Sequence, residues 1–300
     1  METDPYHSRH QAHLRYCNAT QMPCLLASLF LLAVLFAFPT RSPYARTPAS
    51  QESDILGLCV SCIIKESGDR EAIILGERHH RPQSQCMMLA LVRELLSRGE
   101  RLFVGLEIPA DRQEDLERAL GGQRPSKPLA QGITDHPGYH QMLSELGIMV
   151  RCGRPVTVAA IDAASSQNDR ERAMYENVMK ALDTGRYNRL LILVGNGHTL
   201  KNMKWDPEVP RRNLPKLAKR LAGDVEIYSI HQVFGEGQDG PSFMSTKTPD
   251  GAAVAMKGVD FLKYAPEMQG EDVADAVVLW GDRTADQRDG TWPGNSMTEK

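Results

Sequence analysis

Short apolar runs that stop at glycine or at an ionisable residue recur along this chain, separated by stretches with helical spacing. Ala72 to Leu75 (AIIL) halts at Gly76 and is followed at once by Glu77, Arg78, His79 and His80. Leu102 to Leu106 ends in Glu107, Val156 to Ile161 ends in Asp162, and Leu190 to Val194 stops at Gly195-Asn196-Gly197-His198. Val225 to Ile230 and Ala276 to Trp280 are two further runs. Continuous apolar runs of this length read as strands buried on both faces.

Between them, Pro82 to Ser97 places Met88, Leu91, Val92, Leu95 and Leu96 at helical spacing, and Gly99 can end that helix. Pro109 to Leu120, a short stretch near Tyr139 to Leu146, Asp169 to Leu182 and about Pro210 to Leu221 read as further helices. Leu58 to Lys65 (LCVSCIIK) reads as one more strand. Repeated strand, helix, strand units predict an α/β fold, a mainly parallel sheet with helices on both faces. In such a sheet all carboxyl ends lie on one edge, which is where open α/β sheets bind ligands. Glu77, His79, Glu107, Asp162 and His198 are therefore expected to share one cleft.

At 300 residues and 41% hydrophobic content, the chain can bury a substantial core. A net charge of -3 with interspersed signs supplies no basic field, so nucleic acid is not an expected partner. Cys24 to Phe38 is an uncharged run with the length of a signal-peptide core, short for a relaxed membrane span; it predicts export, with an uncleaved membrane anchor as the alternative. The expected organisation is a signal or anchor segment and linker over 1–53, a single α/β domain over 54–282 and a polar tail over 283–300. Of six cysteines, Cys59, Cys62, Cys86 and Cys152 fall in the folded part. Cys59-Val-Ser-Cys62 has redox spacing, yet in a strand the two would point to opposite faces, which favours a small apolar role or a disulfide in an oxidising compartment.

The chemistry rests on imidazoles beside carboxylates. A neutral histidine oriented by Glu77 or Glu107 can take a proton from water near neutral pH. Equally, Glu77, His79, Glu107 and His198 form a donor set that suits Zn or Mn, with metal-bound water as nucleophile. The bland readings are helix-capping carboxylates at Glu77 and Glu107, a turn histidine at His198, a loop cap at Asp162 and a surface ion pair at Arg170. His80, adjacent to His79, points elsewhere on extended backbone. His136 and His140 have i, i+4 spacing, but Pro137 and Gly138 between them argue against a continuous helix. No G-x-S-x-G elbow is present, which disfavours a serine hydrolase, and Gly195-x-Gly197 lacks the third glycine of a dinucleotide fingerprint.

Taken together, GERHH after an apolar strand, GLE ending the next, an Asp-ended strand, RERAMYEN opening a helix and then LILVGNGH resemble the haem-binding uptake, ChaN-like and Tiki-like superfamily, related to erythromycin esterases. The resemblance covers roughly Ala72 to Phe234 and returns with the last strand. It implies an erythromycin-esterase/ChaN-like architecture whose members include haem-binding lipoproteins, metal-dependent proteases and esterases that use a histidine to activate water. The family's G-E-x-H pattern falls on Gly76 to His79, its second carboxylate on Glu107 and its late strand-end histidine on His198. Its R-D-x-x-M falls on Arg170 to Met174, with Glu171 in place of aspartate. His80 stands where ChaN-like members often have Asp, and the short segment between Leu120 and Val156 removes apolar roof that haem-binding members carry.

The resulting expectation is an exported hydrolase-like enzyme acting on a small molecule or peptide. Glu77, His79, Glu107 and His198 form its site, with His79 or His198 as general base or metal ligand, and His80, Asp162 and Arg170 flank it. The alternative from another class is a haem- or metal-binding uptake protein without turnover.

Overall fold

The computed structural model describes residues 48–129, 136–164, 169–202, 215–235, 240–259, 265 and 267–281. All lie in the compact unit Thr47–Lys300. The apolar run 24–38 and the tail 283–300 lie outside the described residues, among which no helix is long and apolar enough to cross a membrane.

Seven described strands form one sheet: β1 (Ala72–Glu77), β2 (Leu102–Pro109), β3 (Val156–Asp162), β4 (Arg189–Gly195), β5 (Ile227–Gly235), β6 (Ser242–Ser245) and β7 (Ala276–Gly281). Their order is β3-β2-β4-β1-β5-β7-β6, parallel throughout except for the antiparallel edge pair β6 and β7. The expected mainly parallel α/β sheet is thus present.

Alternation along the strands explains why their sequences are apolar throughout. Ile73 and Leu75 of β1 enter a core with Met88, Leu91, Val92 and Leu95 of α2 (Gln83–Ser97), while Ala72 and Ile74 enter another with Met174 and Val178 of α5 (Arg170–Leu182). Helices α1 (Pro48–Ser67), α3 (Gln113–Leu120) and α4 (Pro137–Arg151) share the α2 face, and α6 (Leu217–Leu221) shares the α5 face. A third cluster joins α7 (Pro249–Lys257) and α8 (Gly270–Val273) to Val233 of β5 and Val277 of β7.

Three expectations need correction. LCVSCIIK lies on helix α1, which begins at Pro48 rather than near Asp54. Its buried positions Cys59, Val60, Ile63, Ile64 and Ser67 recur with helical period, a repeat that extends past the eight-residue window and is hidden within it. Cys59 is buried, its thiol donates to Pro241 O at 3.4 Å, and burial, with Cys62 nearby, pushes its pKa up to about 12; Cys62 is exposed, and no disulfide joins any of the four described cysteines. Second, α4 begins at Pro137 itself. Proline is tolerated in the first turn because its missing N–H would have no helical partner there, so His136 is the cap and His140 lies in the first turn. Third, β2 continues to Pro109, with an irregular register against β3 between Leu106 and Pro109, so Glu107 belongs to the strand and not to a following helix. Of the helix expected over Pro210 to Leu221, only Leu217–Leu221 is described as helical, and 203–214 lie outside the described residues. The turn signal Thr248-Pro249 went unread, although Thr248 caps α7 by accepting from Gly251 N–H.

The carboxyl edge is tied together across β1. Asn196, just beyond β4, reaches over Gly76 to β5: its Nδ2 donates to Gln232 O at 2.7 Å and its Oδ1 accepts from Gln232 N–H at 3.0 Å. The Gln232 side chain donates back to Gly76 O and accepts from Trp280 Nε1 at 2.6 Å, drawing in β7. A Cβ on residue 76 would stand 2.1 Å from Asn196 Oδ1, so only glycine leaves room for this crossing. Gly76→Ala is expected to lower stability by roughly 1–3 kcal/mol through this overpacking. An unchanged urea midpoint in the variant would show that the crossing is not tightly packed.

Candidate functional site

Three strand ends, those of β1, β2 and β4, converge. Glu77, His79, Glu107 and His198 all line one cavity of about 350 Å³ at the carboxyl edge, together with Arg170, Arg78 and the first residues after β4. Asp162 stands behind this cleft and His80 outside its lining.

Glu77 is the last residue of β1 and is buried. Its Oε1 faces His79 Nδ1 at 2.9 Å, and its Oε2 accepts from Nε2 of Gln85, in the first turn of α2, at 2.7 Å. Burial holds the Glu77 pKa above its ordinary value despite those bonds, and the bond to Glu77 raises that of His79. The chain then reverses through a turn closed by Arg81 N–H to Arg78 O at 3.1 Å, with His80 in the left-handed region at φ 65°. This swings the His80 ring against His136, 6.3 Å between centroids, rather than into the cleft. The His79 ring lies over Gly195, where a Cβ would sit 3.2 Å from Cε1 and Nε2; no bond to Nε2 occurs among the described residues.

Glu107 is the electrostatic centre. Its carboxylate accepts from Gly195 N–H and from Arg170 Nη2, and lies 3.7 Å from His198 Nε2. Burial opposes its charge, but the His198 contact, Arg170 and Gly195 N–H outweigh that and bring its pKa to about 2. Arg170, the first residue of α5, is held by Asp162: Nε to Oδ1 at 2.7 Å and Nη2 to Oδ2 at 2.8 Å. The position of Asp162 is thus structural support for Arg170.

His198 is held from both sides. Its Nδ1 faces Glu171 Oε2 at 2.9 Å, and Glu171 also accepts from Lys216 Nζ at 3.0 Å and Leu217 N–H at 2.9 Å. Burial lowers the His198 pKa, but the bond to Glu171 and the nearby Glu107 carboxylate prevail and lift it to about 9, which favours the imidazolium at neutral pH. Sequence reasoning left Glu171 as a substitution within a motif and missed its grip on His198. The signal was available, because a first-turn carboxylate one residue after Arg170 must face the same edge. Gln85 and Lys216 carried no readable signal.

Among the described residues no group of three His, Cys, Asp or Glu side chains is arranged to hold a metal ion; Glu107 accepts from Arg170 and Gly195, and His198 Nδ1 faces Glu171. Haem asks for an apolar slot with a free axial ligand. The lining offers Val233, Phe234 and Val259 as its apolar side chains, and Tyr139 is fully buried in the core.

Fold and site thus define a parallel α/β protein with a carboxylate–imidazole centre at its strand ends. No family model matches the sequence, and no curated protein does. Solved structures do. An erythromycin esterase variant in its open conformation is 11% identical, with 76% of this chain and 93% of that chain covered at TM-score 0.49. A succinoglycan biosynthesis protein is 11% identical, with 63% and 76% covered at TM-score 0.49. ChaN of Campylobacter jejuni, solved with cofacially bound haem, is 11% identical, with 73% and 91% covered at TM-score 0.36.

The raised His198 pKa ties stability to pH. A group whose folded pKa exceeds its ordinary 6.5 stabilises fully below 6.5 and loses that contribution as pH rises through about 9. The unfolding free energy from urea titration is expected to decline across this window by an amount on the order of 3 kcal/mol more than that of His198→Gln. Parallel curves for the two proteins would show that His198 is not held as an imidazolium.

Proposed function

We propose that this chain is a hydrolase of small esters or peptides in which His79, oriented by Glu77, is the general base. The observation that carries this reading is the division of labour between the two histidines. His79 has one nitrogen committed to a buried carboxylate and the other without a partner among the described residues, whereas both nitrogens of His198 face carboxylates. A lone pair is available on the first and not on the second.

With Nδ1–H donated to Glu77, Nε2 of His79 takes a proton from a water molecule as the water oxygen adds to the substrate carbonyl carbon. Negative charge then builds on the carbonyl oxygen, and the Arg170 guanidinium and His198 imidazolium supply the positive field that stabilises it. The carbon–oxygen or carbon–nitrogen bond breaks, the leaving group receives the proton from His79, and the acid product departs. Glu107 keeps Arg170 and His198 charged and in place. The apolar run 24–38 adds an exported or membrane-anchored location to this reading.

The protein is tested against 4-nitrophenyl esters and a peptide library. His79→Ala and Glu77→Gln are each expected to lower kcat by roughly 10²–10⁴-fold. Activity should rise with pH as His79, whose pKa is raised, loses its proton, and fall again as His198 deprotonates near 9, giving a bell. Turnover that survives His79→Ala, or absence of turnover on every ester and peptide tried, counts against the proposal.

A further inference from the structure

The cleft has a second half that the proposed chemistry does not use. It is also lined by Val233 and Phe234 from the end of β5 and by Lys257, Gly258 and Val259 at the end of α7, with Arg78 on the turn after β1. Gly258 permits this approach: a Cβ there would lie 2.6 Å from Val233 Cγ2 and 3.1 Å from His231 Nε2. Arg81 adds positive charge at the rim, its guanidinium 5.4 Å from the centre of the Phe234 ring.

Every acidic side chain of the site is already matched. Glu77 faces His79, Glu107 faces Arg170 and His198, Asp162 faces Arg170, and Glu171 faces His198 and Lys216. Arg78 and Lys257 are exposed, and neither has a side-chain hydrogen bond or ion pair among the described residues. Two cations therefore line a cleft in which, among the described residues, every carboxylate has another partner, on a chain whose net charge is -3. A local positive field set against a negative whole is what selective capture of an anion requires.

We propose that Arg78 and Lys257 form a subsite for an anionic oxygen group, a carboxylate or phosphate, on a substrate whose apolar body rests on Val233, Phe234 and Val259. This rests on the hydrolase reading and adds the substrate class: an ester or amide with an apolar segment and a terminal anion. Arginine grips such a group through paired N–H donors and lysine as a point charge.

The experiment separates the two ideas by measuring binding first. Calorimetric titration of the full chain with 4-phenylbutyrate, 4-phenylbutylphosphonate and neutral 4-phenylbutyramide is expected to show both acids binding roughly tenfold tighter than the amide, with a preference that shrinks in high salt. The double variant Arg78→Ala, Lys257→Ala, at exposed positions, should lose that preference; Arg78→Lys should keep part of it. Equal affinity for acid and amide, or a preference that persists in the double variant, overturns the subsite, as does a double variant whose only change is a lower melting temperature. In a second arm, the ratio of kcat/KM for mono-4-nitrophenyl glutarate over 4-nitrophenyl valerate should fall in the double variant. Anion preference without turnover of either ester would sink the hydrolase reading while leaving the subsite standing.

Discussion

A buried carboxylate at the end of β2 sets the terms for the rest of the carboxyl edge. Glu107 is almost wholly removed from solvent, and an ionised group there is tolerable only if its environment replaces water with donors. The donors come from three separate elements: Gly195 N–H from the end of β4, Arg170 from the first turn of α5 and His198 from the turn after β4. Each of these then needs its own counterweight. Arg170 is completed by Asp162, and His198 by Glu171, which also takes the Leu217 N–H at the start of α6. The neutralisation of one side chain thus fixes where two helices begin.

This chain of compensation explains why the site is costly to alter. Removing one member of a buried pair leaves the other charge unsatisfied, at a cost of about 3–5 kcal/mol, while the intact pair adds little net stability. The edge is therefore better understood as a device that holds charges in fixed positions than as a source of stability. The crossing of Asn196 over Gly76 serves the same end without charge, because it joins β4 to β5 above the end of β1 and sets the height at which Glu77 and His79 leave the sheet.

Sequence patterns carried the strands and the placement of Glu77, His79, Glu107 and His198 on one edge, for a physical reason. A parallel strand covered on both faces needs an unbroken apolar run, so the first polar residue after it, as at Glu77 or His198, is exposed by the pattern itself. What the patterns hid had equally physical causes. Helix α1 disguised itself as a strand because Cys59, Val60, Ile63 and Ile64 crowd into six positions. The edge strand β6, only Ser242–Ser245 and half-exposed, never builds an apolar run at all. Partnerships that join distant segments, such as Glu171 with His198 or Gln85 with Glu77, depend on side-chain reach across the fold, and no spacing along the chain encodes that reach.

The two site histidines show how far position alone determines chemistry. Both follow strand ends, and as sequence features they are interchangeable. His79 stands beside one carboxylate and over a glycine, so its ring keeps one face toward the cleft; His198 stands between two carboxylates, so its proton is retained from both sides. The number of carboxylates in contact with the ring nitrogens, one against two, is what separates the two environments, with Glu107 also raising the His79 pKa from farther off. That number was decided by Glu171, a residue on another helix, and the chemical role of a histidine here is a property of the packing of α5 against β4 rather than of the histidine's own neighbours in the chain.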